Sequence, residues 1–343
     1  MTPNEKLVDT MTRHQIFVQR YAGGEFKRVF ALLKEMISDV NARLIAAESL
    51  SQAKKLTTEL AAITDLLDDG LSKMESGILS NMDDLVKYEA EFAVKALTTV
   101  SGLKAALPED SALTAILTNR PIRLVTDAGV DFVTVGNAAS AFSRKSKTEV
   151  LRAIQNGWVN GSPVQDMVRE LTSITRRKRN QAEALVRTAV NHIGAEARDA
   201  SFEANGDIIV GRRYVATLDS RTTLGCASLD GEVFKTGENA PSLPRHWNCR
   251  SVYVPVLDPK FTGTIKGKGR ASRGDSGKTE YVSGKTTYSG FLKRQSKDFQ
   301  VEVLGEERAK LFRSGKVTLD KFVDSDGRTL SLDQLRAREG LTL

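Results

Sequence analysis

Both cysteines of the chain and one of its three histidines fall between Asp219 and Ser251. His246 and Cys249 are separated by two residues, a spacing that lets one turn present an imidazole and a thiolate to the same ion, and Cys226 can approach from a second loop. These are three ligands of the type zinc takes. A structural zinc normally has four, and Asp219, His192 or water are the candidates for the fourth. Two other arrangements of the same residues stay open: a Cys226–Cys249 disulfide or close thiol pair, and packed thiols beside a hydrogen-bonded His246. Asp219 and Arg221, two residues apart, are expected to form a bidentate ion pair that ties the loop to a strand. Cys226, His246 and Asp219 can be drawn as a catalytic triad, but their order and spacing match no nucleophile elbow or protease signature. The chain has no P-loop, dinucleotide fingerprint or HExxH motif. A structural role for the cluster is therefore expected over catalysis.

The elements that position these residues are read from periodicity. No proline occurs between Pro3 and Pro108, and from Glu25 onward Phe26, Val29, Phe30, Leu33, Met36, Ile37, Val40 and Leu44 recur at spacings of three and four, one apolar stripe on a helix. Further helices are expected over about 52–67 and 71–103, with Asp68-Asp69-Gly70 as the turn between them. Such stripes usually form a bundle core; docking on another protein's helices is the functional alternative. Ser162 with Pro163 at the first helical position marks another helix start. The basic run Arg176-Arg177-Lys178-Arg179 is read as opening a helix that reaches about Glu203. After Asn205-Gly206 the texture changes to short β-type runs, 212–218 and 251–257, around a loop rich in Gly, Pro and Thr.

Lys and Arg number 50 against 43 Asp and Glu, a formal net charge of +7 in 343 residues, which favours an acidic partner. Residues 262–286 hold six glycines and six basic side chains, Lys266, Lys268, Arg270, Arg273, Lys278 and Lys285, against two acids. That composition reads as a mobile cationic arm able to follow phosphates without sequence preference. Beyond it, Phe291, Leu292, Phe299, Val303, Leu304, Leu311 and Phe312 are apolar anchors for short helices that fold back. No apolar run is long enough to span a membrane, and the polar N-terminus lacks the apolar segment of a signal peptide, so the protein is expected to be made and kept in a cytosol.

The strings LDSRTTLGCASLDGEVF and PSLPRHWNCRSVYVPVL resemble the phage minor head proteins, the head morphogenesis family named after the F protein of phage Mu. The helix carrying Ala184 to Asn191 and the segment from Thr287 to Glu339 are also similar to that family, so the resemblance spans roughly 163–339. Within the motif, Asp219, Arg221, Thr222, Gly231, Asn248 and Arg250 are its structural positions. The resemblance implies a non-enzymatic minor capsid protein in the head of a tailed phage, near the portal vertex, made in the host cytoplasm. It implies the portal protein and packaged double-stranded DNA as partners, scaffold or major capsid protein as further ones, a part in genome ejection, and no membrane before ejection.

The expected fold class is α+β. A predominantly helical region over 1–144 serves portal or oligomer docking. A compact Mu F-like module follows at 145–261, then the flexible basic arm at 262–286 and a short helical tail at 287–343. Zinc is the candidate cofactor. Without residues 1–105 the C-terminal module is expected to stay soluble but to lose incorporation into heads. The rival reading is a zinc-dependent hydrolase or toxin-like effector built on the same module; a fused toxin would add its own domain, whereas the residues that follow match the ordinary tail.

Overall fold

A capping box starts the first helix: Thr2 accepts from the Glu5 backbone N–H at 3.2 Å, and the Glu5 carboxylate accepts from the Thr2 N–H at 2.8 Å, with Pro3 at the first helical position. The computed structural model describes residues 1–126 and 129–340. Helix α1 (Pro3–Ala46) runs through Gly23-Gly24 and so begins well ahead of the stripe noted at Glu25. Then α2 (Gln52–Lys54) passes through a π-turn (Lys55–Glu59) into α3 (Leu60–Leu79), followed by α4 (Met82–Ser101) and α5 (Asp110–Asn119). Strands β1 (Ile122–Thr126) and β2 (Gly129–Val133) pair as an antiparallel hairpin, and two long helices follow, α6 (Val135–Val159) and α7 (Val164–Glu203).

Three local readings change here. Gly70 lies inside α3, not in a turn. A Cβ on Gly70 would run into the Met36 side chain of α1, so the residue is glycine because two helices approach closely there. The chain turns instead at Ser80-Asn81. Pro163 sits extended as the N-cap, and α7 then continues unbroken past Arg176–Arg179, so the basic run is in the middle of a helix and not at its start. Lys178 is buried against Glu149 at 2.6 Å, and Arg177 reaches both Glu149 and Glu170.

The stripe of α1 is covered by the chain's own helices. Phe26, Leu33, Met36 and Val40 share one core with Ile63, Leu67 and Met74 of α3, Val86 of α4 and Leu185, Val186 and Ala189 of α7. That stripe is unavailable to a partner.

The remainder is α+β, as expected. Strand β3 (Ile209–Val215) is the centre of an antiparallel sheet between β4 (Val233–Lys235) and β5 (Val252–Leu257), with α8 (Leu224–Ala227) between β3 and β4 in sequence. A second core joins this sheet to the first turns of α1: Leu7, Val8 and Met11 pack with Tyr214, Val215, Val252, Cys226 and Cys249. The Asn4 side chain also accepts from the Leu257 N–H at 2.9 Å. The module thus packs on the N-terminal helix, a contact that the expectation of a module soluble without residues 1–105 leaves out.

The segment over 262–286 is not a free arm. Strands β6 (Arg270–Ser272) and β7 (Glu280–Val282) form a hairpin, the N-terminal ammonium donates to the Ile265 carbonyl at 3.2 Å, and Leu218 bridges to Ser272. Glycine-rich composition signals mobility only when no side chain is captured, and Arg270 is captured. The tail folds back as α9 (Tyr288–Leu292), α10 (Lys297–Leu304), α11 (Glu306–Arg313), a 3₁₀ turn (Leu319–Phe322) and α12 (Leu332–Glu339). Its core of Phe291, Leu292, Phe299, Leu304 and Phe312 closes over Leu218, Leu224 and Ala227.

Candidate functional site

Cys226, on the short helix α8, and His246 and Cys249, on the loop before β5, converge. Their ligating atoms all lie within 4.8 Å of one another. Cys226 Sγ stands 3.1 Å from His246 Nε2 and 3.8 Å from Cys249 Sγ, and both thiols are buried and free, a close thiol pair. The loops come together because each is anchored from behind. Gln15 of α1 donates to Asn191 of α7 at 2.8 Å, and Asn191 donates to the Cys249 carbonyl at 3.0 Å. Asn248 holds a left-handed backbone, φ 61°, with its N–H donating to Thr188 at 3.0 Å; asparagine tolerates that conformation better than most residues.

Hydrogen bonds set the chemistry of the three groups. Nδ1 of His246 lies 2.9 Å from the Trp247 carbonyl. A carbonyl only accepts, so Nδ1 carries a proton, and Nε2 faces Cys226 as an electron-pair donor in the neutral ring and as an N–H donor once the ring is protonated. Tyr214, fully buried, donates its hydroxyl to Cys226 Sγ at 3.1 Å. The hydrogen bond from Cys249, with help from His246, holds the Cys226 thiol well below its ordinary range despite burial. The same bond, together with burial, pushes Cys249 well above it. Burial acts to lower His246, but the hydrogen bond and charge of Cys226 outweigh it and raise the imidazole.

Neither candidate fourth ligand joins them. His192 donates Nε2–H to the Arg120 carbonyl at 3.0 Å. Asp219 is engaged by Arg250, which reaches its two oxygens at 2.5 and 2.8 Å. Arg250, not Arg221, is the bidentate partner of Asp219: the Arg221 guanidinium is 3.6 Å away with 76% of the side chain exposed. The backbone N–H of Arg221 does bond Asp219, as does Thr222 Oγ1, which also donates to the Thr217 carbonyl. Burial would raise the Asp219 carboxyl, but the Arg250 hydrogen bonds and charge hold it below its usual value. These contacts make the 217–223 loop a rigid bracket from β3 to the start of α8.

A second buried ion pair, which sequence reading missed, holds the other side of the module. Asp230 and Arg270 meet at 2.6 and 2.9 Å, and Asp230 also accepts the backbone N–H groups of Ala216 and Tyr288. Gly231 next to it has φ 97° and leaves room for Thr287. The only available signal was the LDG string. Arg270 is therefore removed from the set of phosphate-binding candidates, because its side chain is 1% exposed. Lys266, Lys268, Arg273, Lys278 and Lys285 are exposed.

A cavity of about 680 Å³ opens beside the Cys/His group, lined by Gln15 and Gln19 of α1, Arg187 of α7, and Thr223, His246 and Arg250 of the loops. Thr223 Oγ1 lies 3.0 Å from His246 Nε2, at the boundary between cavity and thiols.

A thiol–imidazole group between two braced loops and a sheet packed on a helix from the far end of the chain define a compact α+β module. Residues 148–254 match the family described as Phage Mu protein F like protein, which makes this segment phage Mu F-like, as the motif strings indicated. That family is structural and belongs to phage head morphogenesis. No curated protein and no solved structure matches the chain. Among the described residues no helix is long and apolar enough to cross a membrane.

Proposed function

We propose that the chain is a minor capsid protein of a tailed phage that acts in head morphogenesis beside the portal, stays in the virion, touches packaged DNA and assists genome ejection. The observation that carries this reading is the Mu F-like match over residues 148–254, which covers α7, β3, α8, β4 and both Cys/His loops. Since the α1 stripe is buried, a portal contact has to use the outer bundle surface. Phe17 of α1 and Tyr88 of α4 support this: their rings lie 5.7 Å apart and both are nearly half exposed. The lysines of the 262–286 segment support contact with DNA. Scaffold and major capsid protein are further partners on this reading, and the head near the portal vertex is its place.

The test is to count this chain by mass spectrometry in purified virions and in empty procapsids. A low, fixed number per particle in both is the expected result. Absence from both overturns the proposal.

A further inference from the structure

We propose that Cys226, His246 and Cys249 bind one zinc ion whose fourth position faces the neighbouring cavity and takes an oxygen or nitrogen donor from it. The site's own geometry carries this inference, independently of the head-assembly reading. Two thiolates held about 2.3 Å from a tetrahedral zinc stand about 3.8 Å apart, and Cys226 Sγ and Cys249 Sγ are 3.8 Å apart. A thiolate and an imidazole on such an ion are separated by about 3.6 Å, so His246 Nε2, now 3.1 Å from Cys226 Sγ, has to draw back slightly. His246 is only half-buried and lines the cavity, so it is free to do so.

The surroundings are those of a metal ligand set. Metal-bound histidines donate their other nitrogen to a carbonyl or carboxylate, and the Trp247 carbonyl takes that role here. Tyr214 donates to one sulfur. The ion replaces the thiol protons, which leave to solvent, and no oxidation or reduction is involved. Among the described residues no fourth His, Cys, Asp or Glu reaches the group. The Thr223 hydroxyl, 3.0 Å from His246 Nε2, is a poor ligand while neutral, and it lines the cavity with His246. Three protein ligands with one position left open is the arrangement that accepts an exogenous donor.

The experiment uses the full chain, reduced and stripped of metal, titrated with cobalt(II) and then zinc. The expected result is one cobalt per chain, with a thiolate-to-cobalt charge-transfer band and intense visible bands that zinc abolishes. Azide added to the cobalt form should shift the visible bands. Tyr214→Phe should weaken zinc affinity by about tenfold while leaving one ion per chain. Absence of the bands in the wild-type chain overturns the site without relying on any variant's folding. So does unchanged affinity in a Cys226→Ser/Cys249→Ser double variant. A spectrum indifferent to azide overturns the open position.

Discussion

Arg270 and Asp230, forty residues apart, form a two-pronged ion pair with both side chains withdrawn from solvent. Arg270 also donates to the Ala216 and Thr286 carbonyls, so one guanidinium joins the end of β3, the loop after α8 and the approach to the tail. Its removal leaves a buried carboxylate with no counter-charge. Arg270→Met is expected to cost about 3 to 5 kcal/mol, read as a lower urea midpoint. A variant within about 0.5 kcal/mol of wild type would show that the pair does not hold the module.

On the proposed DNA-contact reading, the phosphate candidates are the exposed Lys266, Lys268, Arg273, Lys278 and Lys285. Replacing Lys266, Lys268 and Lys278 by Ser should flatten the slope of log K against log salt by about 2 to 3 on nonspecific duplex DNA if all three touch phosphate. An unchanged affinity and slope would refute the DNA role of this segment.

Stability in acid should depend on Glu89. Its carboxylate is fully buried, 2.7 Å from His14 Nε2 and paired with Arg198. Burial alone would raise it, but the charge of Arg198 and the His14 hydrogen bond bring it below its ordinary 4.5. The unfolded chain then binds the proton first, so stability is full above the ordinary 4.5 and is lost as pH falls below it through the lower folded value. Urea midpoints across that range should show the fall. Glu89→Gln should flatten it, while lowering stability at neutral pH by leaving Arg198 buried and unpaired.

Gly70→Ala reverses an ordinary sign. In an open helix interior the change stabilises by about 0.5 to 1 kcal/mol, but here the new methyl meets Met36. Overpacking of this kind costs about 1 to 3 kcal/mol, so the melting temperature should drop. A rise would mean that α1 and α3 are less closely packed than described.

A fragment lacking α1 should fail to fold. Leu7, Val8 and Met11 are at most 2% exposed within the module core, and each contributes roughly 1.5 to 3 kcal/mol by burial. The expected outcome for residues 106–343 is aggregation or a loss of sharp thermal unfolding by circular dichroism. A soluble fragment with a cooperative transition would refute the dependence on α1.

Local pattern was enough to place the helices, since the three-and-four spacing from Phe26 to Leu44 survives whatever surrounds it. The same holds for the Cys/His loops, whose residues are close in sequence and of distinctive chemistry. Boundaries were not legible in the same way: the stripe is read from Glu25, whereas the Thr2–Glu5 capping box starts α1 at Pro3. Which charge meets which was not legible: Asp219 has Arg221 two residues away and takes Arg250 thirty-one residues on, because the guanidinium already buried beside it gains more from pairing than one left in water. Composition marked 262–286 as a free arm, yet Asp230 draws Arg270 out of it and orders the hairpin. The cavity beside His246 lies between α1, α7 and two loops, and no single segment encodes it. Periodicity and motif are properties of a few neighbouring residues. The partners of a buried charge and the walls of a cavity depend on how distant elements stack, which only the folded chain decides.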